Sequence, residues 1–189
     1  MPSQLELVNR VLSEIGRQPI TAINDSPAAQ TIAAKIDELM PELLQLTAWN
    51  FAIVYRSDST PLTTNFSPDY VFSYALPGDF GGFYKWASAG AQWPFYAIVD
   101  GMMLANTNPI QYYYITNQVD FSVLTPLFSR MLVLYVASKV APTLTNNMSL
   151  AKYLTNEYFI KLSDAVRQND MERSVMSTPY NDFDRTLFI

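Results

Sequence analysis

The stretch Phe95-Tyr96-Ala97-Ile98-Val99-Asp100-Gly101-Met102-Met103-Leu104-Ala105, continued by Asn106-Thr107-Asn108-Pro109 and Ile110-Gln111-Tyr112-Tyr113-Tyr114-Ile115, holds three apolar runs separated by two turn signals. An Asp-Gly pair accepts the positive φ angles of a type I′ turn, so residues 95–99 and 102–105 read as a hairpin. The second signal, 106–109, returns the chain into a third strand over 110–115. Outward from there, residues 83–87 read as a fourth strand and 66–77 as an extended entry segment held by Pro68 and Pro77. The wider segment 51–120 carries eight of the twelve tyrosines. These signals predict a small antiparallel sheet of three or four strands within residues 66–120.

Helical periodicity flanks this region on both sides. Ser3-Gln4-Leu5-Glu6 has the form of a capping box, Leu5, Val8, Leu12 and Ile15 follow at helical spacing, and Gly16 suits a left-handed cap, which predicts a helix over 4–15. After a connector containing Pro19, Asp25-Ser26-Pro27 opens a second helix with the stripe Ile32, Ile36, Leu39, Leu43 and Leu46. Pro41 lies inside that stripe and predicts a kink or a two-piece helix ending near Asn50. Thr125-Pro126 opens the third helix, with Leu127, Met131, Leu134, Ala137 and Val140 or Ala141 inward and Pro142 ending or bending it. The fourth begins at 147–149 with Leu150, Leu154, Tyr158, Leu162 and Ala165 inward, and runs to about Val175. The expected class is mainly α with a β insertion (α+β). Residues 1–65 and 121–176 are expected to form a four-helix bundle, 66–120 the inserted antiparallel sheet, and 177–189 an extended docking tail.

Composition narrows the chemistry. Apolar residues make up 49% of the 189 residues and charged ones only 15%, against about 25% charged in ordinary domains. With surface charge so scarce, part of the apolar and aromatic remainder is expected to be covered by other chains. There is no Cys and no His, which removes disulfides, thiolate nucleophiles, Ser-His-Asp arrangements and the commonest zinc ligands. No metal or cofactor is expected. A net charge of -5 lacks the Lys and Arg that displace counterions from phosphates, but suits a wall past which DNA slides. Residues 1–16 are amphipathic and interrupted by Glu6, Arg10 and Glu14, unlike a signal peptide. The longest uncharged apolar run, 131–138, is too short to span a bilayer, so no membrane partner and synthesis in a cytoplasm are expected.

Carboxylates are the remaining catalytic candidates: Asp37-Glu38 with Glu42, or Asp69 with Asp79 and Asp100. Helical spacing makes Glu38 and Glu42 neighbours on a solvated face. Asp79 and Asp100 stand in turn contexts, where the side chain is expected to serve its own backbone. Trp49 and Phe51 read as the joint between helices and sheet rather than a ligand-stacking platform. In Tyr112-Tyr113-Tyr114 the middle ring faces opposite to its neighbours, so one face is either wet or covered by another subunit. Residues 177–189 include Tyr180, Phe183, Leu187, Phe188 and Ile189, too apolar for a disordered linker and without helical period.

Several local sequences carry a resemblance in their order along the chain. Leu7-Val8-Asn9-Arg10-Val11-Leu12 with Ile15-Gly16 and Pro19-Ile20, Trp49-Asn50-Phe51-Ala52 closing a long helix, Tyr74-Ala75-Leu76-Pro77-Gly78-Asp79 entering the sheet, and the hairpin and strand over 96–114 form its first half. Pro126-Leu127-Phe128, Ala141-Pro142-Thr143-Leu144-Thr145 and residues 165–172 complete it. This succession resembles the tail tubular protein A family, the head-to-tail adaptors of short-tailed bacteriophages, over about residues 4–175; Pro41 departs from the family's uninterrupted helix.

The resemblance implies a virion structural protein at the head-to-tail interface, a homo-oligomeric ring of about twelve copies, and no enzyme activity. The implied partners are the portal protein, a tail nozzle protein of the tail tubular protein B kind, and genomic DNA as a passenger in the lumen. Tyr180, Phe183, Leu187, Phe188 and Ile189 become candidates for docking on portal or neighbour, with fold-back onto their own helices the alternative. Two other functions stay open: a glycan hydrolase using the carboxylates, and a host-glycan binding module built on the β insertion.

Overall fold

The computed structural model of the chain describes residues 2–62, 68–87 and 95–176, with side chains as far as Arg173. The protein is mixed α and β, with four helices and two small antiparallel sheets: α1 (Gln4–Glu14), α2 (Pro27–Gln45), β1 (Ile53–Asp58), β2 (Phe72–Ala75), β3 (Phe80–Trp86), β4 (Tyr96–Val99), β5 (Met102–Ala105), β6 (Ile110–Thr116), α3 (Pro126–Thr145) and α4 (Met148–Met176). Its described residues divide into two compact units, one drawn from the chain up to residue 39 and from 121 to 176, the other from 40 to 120.

In the helical unit, Ser3 caps α1 by accepting the Glu6 N–H at 3.2 Å. The Glu6 carboxylate does not complete the expected box; it pairs with Arg10 one turn on. At the other end Gly16 takes φ +72°, while Arg17 N–H reaches the Leu12 carbonyl and Gly16 N–H that of Ser13. This is the Schellman arrangement, which needs a residue free to turn left-handed. α3 packs against α1 and α4, and eleven of its residues are buried. A helix enclosed on most sides has no polar face to keep, which is why it is apolar nearly all round. It is also long and apolar enough to cross a membrane by length and composition alone. Of its most apolar 18-residue window 61% is buried inside the protein, and that window is longer than the uncharged run 131–138 because the helix carries Arg130 and Lys139 along with it. Polar links across this unit include Gln4 donating to Asp37 at 3.0 Å, Arg17 donating to the Leu144 carbonyl and Arg130 pairing with Glu14.

Neither internal proline splits its helix in two. α2 is a single helix through Pro41, and α3 continues past Pro142 to Thr145, where Asn146 turns left-handed at φ 50° and ends it. Of the α2 stripe, Ile32, Ile36, Leu39 and Leu43 are buried, while Leu46 lies beyond the helix end and is exposed.

The β region departs from expectation in two ways. Strands begin at Ile53, not within 66–120, and they form two sheets rather than one: β1-β6-β3 and β2-β5-β4. β1 follows a short 3-10 turn over Asn50–Ala52, and no Gly or Pro marks its start. β2 comes out of the segment read as a mere entry, paired along β5. All four pairings are antiparallel. The Asp100-Gly101 hairpin forms as read, with φ of 48° and 72° and Val99 opposite Met102. Both sheets bury side chains in one core of Tyr74, Trp86, Met103, Ala105, Ile110, Tyr112 and Tyr114.

β3 reaches β6 through a bulge between Phe80 and Gly82. A Cβ on Gly81 would stand 2.9 Å from the Ile115 carbonyl oxygen, backbone against backbone, whereas one on Gly82 would meet nothing within 4 Å. Gly81→Ala is therefore expected to destabilise the chain by about 1–3 kcal/mol, as overpacked sites do, and Gly82→Ala by much less. Urea unfolding of the two variants checks this; equal losses would remove the close approach as the reason for glycine at 81.

Candidate functional site

β6 organises the polar and aromatic side chains of the sheet unit. Along it Ile110, Tyr112, Tyr114 and Thr116 are buried while Gln111, Tyr113 and Ile115 are only partly covered, the strict alternation of a strand with one face inward. Tyr112 and Tyr114 are thus held in the protein's own core, and Tyr113 alone among the three takes the opposite face. There its ring lies 5.4 Å from that of Tyr55 on β1, and the Lys85 ammonium on β3 stands 5.2 Å from its centroid.

The inward tyrosines need partners for their hydroxyls. Tyr74 donates to the Thr107 carbonyl at 2.9 Å. Tyr114 donates to the Asp79 carboxylate, its oxygens 3.0 and 3.1 Å away, and Thr116 Oγ1 lies 2.9 Å from Asp79 Oδ2. The Asp79 side chain does not serve its own turn, as the sequence reading expected; it clamps the end of β3 onto β6. At the other end of the core, Arg56 pairs with Asp58 at 3.0 Å, and Asp58 also accepts from Thr60 N–H and Oγ1. Burial works against the Asp58 charge, but these hydrogen bonds and Arg56 outweigh it and hold the carboxyl below its usual range.

The other singled-out residues are placed as follows. Trp49 is buried, with its indole N–H donating to the Leu43 carbonyl at 2.8 Å and its ring stacked on Phe51 at 6.1 Å; both belong to the sheet unit. Glu38 pairs with Lys35 at 2.6 Å on the exposed face of α2. Asp100 forms the hairpin turn. Among the described residues no three or more Asp or Glu side chains gather as a metal site. Tyr180, Phe183, Leu187, Phe188 and Ile189 lie outside the described residues.

Sequence reading missed one surface. β4 is an edge strand, and Tyr96, Ile98 and Val99 on it are exposed, as is the preceding Phe95. Its signal was present in the sequence, since residues 95–99 carry no charge. On α4, Tyr153, Phe159 and Ile160 are also exposed.

No protein-family model matches this sequence, and no curated protein matches it either.

Burial, and next the Asp79 carboxylate that accepts its hydrogen and would repel a phenolate, push the Tyr114 hydroxyl up to about 12 from 10.0. The folded chain therefore keeps a proton that the unfolded chain releases near 10.0. The stability this contributes is full below that pH and is lost as pH rises toward about 12. Tyr114→Phe should cost about 1–2 kcal/mol at neutral pH by removing a hydrogen bond to a charged acceptor, and should flatten the alkaline fall. Denaturant titrations across that range check it; an equally steep fall in the variant would exclude Tyr114 as its source.

Proposed function

We propose that the chain is a structural head-to-tail adaptor of a tailed bacteriophage, a ring-forming subunit of the tail tubular protein A kind, with no catalytic role. On this reading the helices associate as a four-helix bundle, about twelve copies close a ring, and the ring joins portal protein to tail nozzle at the head-to-tail interface of the virion. Genomic DNA passes through the lumen.

The observation that carries the reading is the amount of large apolar surface left open on both units of a sparsely charged chain. Phe95, Val71 and Val99 are exposed on the sheet unit, and Tyr153, Phe159 and Ile160 on the helical one. Charged residues make up only 15% of the chain, and large apolar side chains left open on both units suit protein contacts. The order helix, helix, strands, helix, helix agrees with the succession of motifs that resembles the adaptor family. The net charge of -5 suits a lumen that lets DNA slide, because phosphates gain nothing from a wall poor in cations.

Electron microscopy of the purified protein, alone and mixed with its portal, tests this. Rings docked coaxially on portals are expected. A monomer at all concentrations that leaves portals bare would sink the proposal. A chain cut after Met176 should fold with unchanged stability yet fail to join portals; a cut chain that docks as well as the full one would remove the docking role from residues 177–189.

A further inference from the structure

We propose that the open edge of β4 takes up residues 183–189 of a second copy of this chain as an added β-strand. β4 has β5 on one side only, and among the described residues nothing pairs with its other edge. Alternate residues of an edge strand present N–H and C=O groups outward, a ready template for another chain. Proteins that leave such an edge in water protect it with charge, proline or a bulge, and none of these occurs in Phe95-Tyr96-Ala97-Ile98-Val99, which pairs with β5 in unbroken register.

Side-chain direction gives the second reason. Tyr96 lies opposite Ala105 and Ile98 opposite Met103, so both share the face whose residues enter the core. Tyr96 packs on Phe83 at 4.6 Å and on Trp86 at 5.4 Å. Even so, Tyr96 is 38% and Ile98 41% exposed, and Phe95 beside them 82%. Among the described residues nothing closes the core of the sheet unit along this edge, and one more strand with an apolar face would do so.

Residues 183–189 fit that requirement. In Phe183-Asp184-Arg185-Thr186-Leu187-Phe188-Ile189 a period of two puts Phe183, Arg185, Leu187 and Ile189 on one face, with Arg185 the single charge among three apolar side chains, and Asp184, Thr186 and Phe188 on the other. Thr186-Leu187-Phe188-Ile189 is uncharged and built of strand-favouring side chains, four residues against the four of β4. Strand addition of this kind takes affinity from main-chain hydrogen bonds and specificity from alternate side chains, and repetition around a ring strengthens a modest contact by avidity. The inference rests on the ring reading only for the presence of a second copy.

The chain has no cysteine, so single cysteines report contacts without background. Full-length chains carrying Ile98→Cys are mixed with chains carrying Leu187→Cys, Ile189→Cys or Phe188→Cys and oxidised in air with a copper catalyst, after circular dichroism shows wild-type folding. Disulfide dimers are expected for 187 and 189. The 188 variant should give a roughly fivefold lower yield, because the two Cβ atoms must come within ~4 Å and its side chain points to the other face. Preferential coupling of Ile98→Cys chains with each other, closure within one chain carrying both cysteines, or yields no better than the 188 variant would each overturn the proposal. Hydrogen exchange on the unmodified chain reads the same edge: amides of 96–99 should slow roughly tenfold as the full chain is concentrated from dissociated to assembled, and unchanged rates would overturn it too. Neither measurement needs a portal, so a ring that fails to dock sinks the adaptor reading and leaves this one standing.

Discussion

Everything in the sheet unit follows from what β6 demands. It is a central strand, with β1 along one edge and β3 along the other, so its backbone groups are satisfied only when strands far apart in sequence flank it. One of its faces carries two tyrosines into the core, and a buried tyrosine requires an acceptor for its hydroxyl. Asp79 supplies it for Tyr114. That requirement fixes where β3 begins, and the bulge that follows brings the β3 backbone so close to β6 that residue 81 has no room for a side chain. Aromatic burial, carboxylate placement and glycine identity are one chain of cause and effect.

Charge contributes much less to holding the fold. Lys35 with Glu38, Lys161 with Asp164 and Arg10 with Glu6 are exposed pairs within one or two helical turns, each worth a few tenths of a kcal/mol. The helical unit rests instead on α3, whose enclosed apolar surface gives α1 and α4 something to cover. A chain stabilised this way can spare charge from its surface without unfolding, and the surface so freed is apolar.

How much of this was legible follows from which signals are local. The Asp100-Gly101 turn, the Ser3 and Thr125 caps and the Gly16 stop are decided by neighbouring residues, and the structure has all of them. β1 was not placed because it borders a helix-ending aromatic cluster without a turn residue, and its pairing with β6 lies with residues far along the chain. The division into two sheets escaped for the same reason: alternation tells which face of a strand is buried, not which strand lies beside it. Tyr112 and Tyr114 were separated from Tyr113 by period, but which face was inward needed the partner strands. The role of Asp79 depended on Tyr114 and Thr116, and a Pro-Gly-Asp context carries no trace of them.

The topology also sets an order of events during synthesis. β4 and β5 are joined by a two-residue turn and can close within about 1–10 μs of leaving the ribosome, as hairpins do. β1 is released long before its partner β6, with all of β2 to β5 in between, and α1 waits longer still for α3. Neither unit can complete its core until the later half of the chain is available. The nascent protein therefore carries an unpaired β1 until β6 emerges and an uncovered α1 until α3 emerges, the interval in which aggregation and chaperone capture compete with folding.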